Sequence, residues 1–195
     1  MNGNLQLFIT VFLGSGASFA LLNFASQVWK DRRQRQHVAL QIAFHLEAYA
    51  IECEKQHSDN SLVNASGGSA GAEITGIPEL APYPSADQLR LLYPQTLNRL
   101  YAFPQECLIA NRSVQDTFEF VDSDAANEAA ADGAIVMASN ALQIAQGVRH
   151  HYNLEPRRLQ FDGWSIEEYF EREQEKIRKR KAEREERSKK SEVPL

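Results

Sequence analysis

From Leu5 to Trp29 the chain runs 25 residues without a charged side chain, and the next six, Lys30 to Arg35, hold four basic residues and one acid. A helix of about 20 largely apolar residues spans the hydrocarbon core of a bilayer, so the pattern predicts a transmembrane anchor with a basic collar over residues 1–35. A secretory signal would place its positive charges ahead of a shorter apolar stretch. Here they follow it, and Ser18-Phe19-Ala20 is a weak match to a cleavage site. Gln6, Thr10, Asn23, Ser26 and Gln27 make the run only moderately apolar, which leaves a buried soluble helix as the competing reading.

Lys and Arg beside a membrane helix stay on the cytosolic side. The expectation is therefore a single-pass protein of a bacterial inner or plasma membrane, N-terminus outside and the larger domain cytoplasmic, with Trp29 at the interface. Thr10, Gly14 and Ser18 recur every four residues on one face, the spacing that lets two membrane helices approach, and that face suits a homodimer. The sequons at Asn64 and Asn111 would be silent in this topology.

Beyond the collar the periodicity is helical, and the predicted fold class is all-α: one N-terminal transmembrane helix, a small cytosolic helical bundle over residues 36–156, and an arm with a charged C-terminal helix and tail, partly disordered, over 157–195. Ala39, Ile42, Leu46, Tyr49 and Cys53 mark one apolar face of a first bundle helix, and Phe44, Ala48 and Ile51 a second. Residues 58–85, rich in Gly, Ser, Asn and Pro, read as a long loop, its Ile77 to Pro84 part extended enough to pack on helices or to meet a Pro-reading domain. Ser85 with Gln88 forms a capping box, Pro94 breaks the short helix that follows, and Phe103-Pro104 marks a further boundary before a helix to about Val121. The clearest helix opens at Asp122 to Asp124 and closes at Arg149 to His151, with Asn153 and Pro156 as stop signals and Met137, Ala141, Ile144 and Val148 as its core line. Ser165 to Glu168 caps a last helix that is almost wholly charged from Glu171, too poor in apolar residues for a coiled-coil seam.

The net charge of -5 hides a segregation: no Lys or Arg lies between Arg112 and Arg149, whereas six acids do, and the tail from Glu171 to Lys190 is mildly basic. Two kinds of lipid or phosphate contact follow, the collar residues Lys30, Arg32, Arg33 and Arg35, and the tail cluster Arg178, Lys179, Arg180 and Lys181. Interleaved glutamates and the lack of stacking aromatics make nucleic acid a poor partner for the tail.

Chemistry-bearing motifs are scarce. The Gly67 to Gly71 run lacks the Gly-Lys-Ser/Thr of a phosphate loop, Glu54-x-x-His57 lacks the second copy a di-iron bundle needs, and no nucleophile elbow is present. His37 and His45 have no ligand of matching register, and His150-His151 suits a helix C-terminus. Cys53 and Cys107 stand far apart, as buried reduced thiols would. No catalytic residue, metal or cofactor is expected. The expected function is a membrane-anchored scaffold, adaptor or accessory subunit binding other proteins through its bundle; the alternative is a membrane-tethered enzyme or small-ligand effector using the Gly-rich loop beside His150 and His151.

Overall fold

The computed structural model describes residues 16–84 and 86–191, with the side chains of 16–18, 20, 86 and 191 outside that description. The chain is mostly helical: α1 Gly16–Ser66, a short 3-10 helix Ala86–Leu91, α2 Pro94–Phe120, α3 Ser123–His151, a two-stranded hairpin of β1 Gln160–Phe161 and β2 Trp164–Ser165, and α4 Ile166–Ser191. The all-α class holds. Among these residues no helix is long and apolar enough to cross a membrane; residues 5–15 of the uncharged run, with Thr10 and Gly14, lie outside the described set.

Helix α1 is one unbroken rod of 51 residues, about 75 Å at 1.5 Å per residue. From Ala17 to Ser66 it contains neither Gly nor Pro. That is why it passes through Ser58-Asp59-Asn60-Ser61, where a loop was expected: those residues are only mildly unfavourable in a helix. It ends where Gly67 takes a φ of 63° and the Gly68 N–H returns to the Val63 carbonyl at 3.0 Å. The glycine run is thus a helix terminus.

One face of α1 is the centre of the bundle, with Val38, Ala39, Ile42, Ala43, Leu46, Ala50 and Cys53 fully buried. The expected second apolar face is not used this way, since Phe44 and Ile51 are 44% and 46% exposed. Helix α3 packs against α1, α2 and α4, and its Ala130, Ala134, Ala138 and Ala141 have no exposed surface, so small side chains bring the helices close. Both its ends follow the sequence signals: Asp122 accepts the Ala125 N–H at 2.6 Å, and Asn153 takes a left-handed φ of 51°.

Pro94 starts α2 in the first turn, where its missing N–H costs nothing. Pro104, expected to open a new helix, instead lies inside α2. An interior proline costs about 3 kcal/mol, and buried Leu100, Phe103 and Cys107 on both sides of it supply comparable or greater stabilisation.

The segment after α1 is ordered as a strap. Ile74, Ile77 and Pro78 are buried; Asn60 Oδ1 accepts the Ile74 N–H at 3.2 Å, and Asn111 accepts from Ile77 N–H at 2.7 Å while donating to the Ile77 carbonyl at 3.0 Å. The hairpin before α4 turns on Asp162-Gly163, both at positive φ, the backbone that a tight two-residue hairpin requires. The charged last helix remains helical to Ser191 and docks through Ile166, Phe170 and Ile177.

Candidate functional site

The charges that the sequence singles out are sorted by the fold into different tasks. Ser18 falls on α1, and its side chain lies outside the described residues. Of the collar, Lys30 is exposed, and Arg33 places its guanidinium 3.6 Å from the centroid of the Trp29 ring. Arg32 and Arg35 line one wall of a cleft of about 380 Å³. Its other wall comes from Tyr93, just ahead of α2, and from His151 and Tyr152 at the end of α3. These three rings contact one another, Tyr93 stacking on Tyr152 at 5.4 Å and meeting His151 edge-on at 5.0 Å. The wall is pinned by Tyr152, whose hydroxyl accepts the Tyr93 N–H at 2.7 Å and whose carbonyl accepts from Gln36 at 3.0 Å.

The tail cluster is largely spent within the chain. Arg180 pairs with Glu128 at 2.8 Å and with Asp132, and Arg184 reaches Glu128 at 2.6 Å. Arg178 and Lys179 both pair with Glu175, and Lys181 is exposed. The acidic middle and the basic tail, separate blocks in the sequence, are two sides of one joint between α3 and α4.

Beside that joint lies a larger polar cleft of about 730 Å³, lined among others by His57, Glu73, Asp132, Glu173 and Lys176. At its edge His57 Nδ1 is 2.6 Å from the Tyr169 hydroxyl, which lies 3.2 Å from Ser58 Oγ, and Ser58 donates to Glu54 at 2.7 Å. Burial lowers the His57 pKa against the pull of Glu173 and Asp132, and burial raises that of Tyr169. Burial also raises Asp132, with Arg180 opposing it. Glu173 is raised by burial but ends below its ordinary value because Lys176 donates to it and adds its charge. The pair Glu54 and His57, spaced like metal ligands, instead ties α1 to α4. Among the described residues no group of three His, Cys, Asp or Glu side chains is placed to hold a metal ion.

A third feature gave almost no signal in the sequence. Glu47 and Arg149, each with a side chain 5% exposed, pair at 2.7 Å, and Arg157 closes on the other carboxylate oxygen at 2.8 Å. Phe44 lies under both guanidiniums, 5.0 Å from that of Arg149 and 4.7 Å from that of Arg157. The partners are 102 and 110 residues apart, and only an acid on an otherwise apolar face, next to Leu46, hinted at them.

No protein-family model, no curated protein and no solved structure matches this chain.

Proposed function

We propose that the chain is a single-pass membrane protein whose uncharged N-terminal run is the anchor, N-terminus outside, and whose cytoplasmic bundle binds other proteins as a scaffold, adaptor or accessory subunit. The observation that carries this reading is the change of surroundings along one unbroken helix. Phe19, Leu22 and Phe24 are about 70% exposed, and Leu21, Val28 and Trp29 more than half. Spaced at 100° per residue they spread over about 220° of the helix circumference, with Asn23 and Gln27 in the remaining sector, so no single docked face would cover them, whereas hydrocarbon would. Twenty residues on, the same helix is the most buried part of the bundle. Helix α2 supplies a candidate binding face, since Tyr101, Leu108 and Ile109 are 56%, 69% and 70% exposed.

The experiment joins alkaline carbonate extraction to protease protection of a C-terminal probe in right-side-out cells. The chain is expected to stay with the membrane, its tail cut only after lysis, and a co-purifying protein is expected to be lost on Leu108→Glu with Ile109→Glu. Release by carbonate, or a tail shaved from intact cells, would sink the anchored topology. A second copy packed on the Thr10, Gly14 and Ser18 face belongs to the same proposal, read by cross-linking a cysteine placed at residue 14.

A further inference from the structure

The collar cleft holds two cations, Arg32 and Arg35, that have no carboxylate partner among the described residues. Arg35 Nε is buried without a hydrogen-bond partner, and its guanidinium stands 5.6 Å from the Tyr93 ring. No carboxylate among the described residues forms an ion pair with Arg32 or Arg35, although Asp31 also lines the cleft. A guanidinium half withdrawn from water needs an acceptor, and a planar fork of donors fits a phosphate best. Two guanidiniums against one carboxylate leave a single positive charge, which matches the single negative charge of a phosphodiester.

We infer that this cleft binds a phosphate group, that of an anionic phospholipid at the bilayer surface, with Arg35 and Arg32 as its ligands. The inference rests on the anchored reading above. If Trp29 marks the edge of the hydrocarbon, Arg32 and Arg35 lie about 4.5 and 9 Å further along the helix axis. A headgroup layer about 5 to 8 Å thick takes in Arg32 and ends just short of Arg35, whose long side chain can reach back into it. Arg33 is one residue from Arg32 yet turned onto Trp29, so the cleft distinguishes among collar cations that a diffuse electrostatic patch would use equally. A cleft of about 380 Å³ is of a size that takes a small headgroup. Gln36, Tyr93 and Asn153 on its walls add neutral donors.

The full chain, purified in mild non-ionic detergent, is titrated with short-chain phosphatidylglycerol, with phosphatidylcholine and with inorganic phosphate, and bound ligand is counted by native mass spectrometry. Phosphatidylglycerol should bind with defined stoichiometry. Arg35→Gln and Arg32→Gln should each weaken it about tenfold, as loss of a charge-assisted hydrogen bond does, and Arg33→Gln and Lys30→Gln should leave it unchanged. Arg35→Lys, which keeps the charge and removes the fork, controls for folding and should restore only part of the affinity.

Equal losses at all four collar positions, or phosphatidylcholine binding as well as phosphatidylglycerol, would overturn the site while leaving anchoring intact. If inorganic phosphate instead binds through Arg35 and carbonate frees the chain, the anchored reading falls and the cleft stands as a site for a soluble phosphate.

Discussion

Arg149 Nε and Glu47 Oε1 meet at 2.7 Å with both side chains 5% exposed, which makes this the most deeply placed ion pair of the described bundle. A buried pair of this kind contributes little net stability against an apolar replacement, but losing one partner strands the other charge without water. Arg149→Met is therefore expected to destabilise the chain by about 3 to 5 kcal/mol, since Glu47 would keep only the half-exposed Arg157. Glu47→Leu with Arg149→Met should be markedly milder than either change alone. Urea unfolding followed by far-UV circular dichroism reads both, and a double variant as unstable as the sum of the singles would mean that the pair is not coupled.

His57 gives the docking of α4 a pH dependence. Burial lowers its pKa below the ordinary 6.5, so as pH falls through that range the unfolded chain binds a proton that the folded chain resists, and stability falls with it. The carboxylates of Glu173 and Asp132, from α4 and α3, temper the effect and Lys176 adds to it. The two carboxylates act in their own ranges. Asp132, raised above 3.8, costs stability while ionised and sheds that cost as pH falls through its folded value toward 3.8, whereas Glu173, lowered below 4.5, stabilises above 4.5 and loses that as pH falls through its folded value. Hydrogen exchange along α4 should accelerate as pH drops below 6.5 once corrected for intrinsic rates, and His57→Gln should abolish the histidine's share. An unchanged profile in that variant would place the pH response elsewhere.

The cysteines are sealed. Burial pushes the Cys53 thiol up to about 12 against the hydrogen bond from Tyr49, and burial likewise raises Cys107, whose sulfur is 3.6 Å from the Tyr49 hydroxyl. Since the thiolate is the reactive form, iodoacetamide at neutral pH should label neither residue in the folded chain and both in denaturant. Mass spectrometry counts the adducts, and rapid labelling of Cys107 without denaturant would show that α2 opens locally.

How much of this was readable in the amino-acid order depends on how local each cause is. Both ends of α3 were readable because a cap and its partner lie three residues apart, as Asp122 and Ala125 do. The α1 core line was readable because periodicity repeats within the helix. The Ser, Asp and Asn near residue 60 suggest a loop, but the absence of Gly and Pro as far as Ser66 is the stronger signal and α1 follows it. Pro104 looked like a boundary because proline's cost is local and the packing that outweighs it is not. The same distinction divides the candidate site. The collar cations were evident in the sequence, but Tyr93 and His151, which turn two of them into a cleft, come from elements more than fifty residues away. The acidic and basic blocks were visible as blocks; that Arg180 turns inward to join them was not.

Asn111 illustrates the same point and offers the last test. Its amide clamps the backbone of Ile77 from both sides, N–H at 2.7 Å and carbonyl at 3.0 Å, and Ile77 in turn lies where a Cβ on Gly133 would come within 2.5 Å of its Cδ1. The strap is thus held to α2 by hydrogen bonds and to α3 by an apolar contact that tolerates no added methyl without a shift. Asn111→Ala leaves two backbone groups of a partly buried segment unpaired and should cost about 2 kcal/mol. Gly133→Ala overpacks against Ile77 but gains helix propensity inside α3, so its net cost should be about 1 kcal/mol. Both should make residues 67–84 the first site of limited proteolysis, because their backbone loses its anchors while α3 stays folded. Protease resistance equal to the wild type in both variants would mean that buried Ile74 and Pro78, with the Asn60 hydrogen bond to Ile74, suffice to hold the strap.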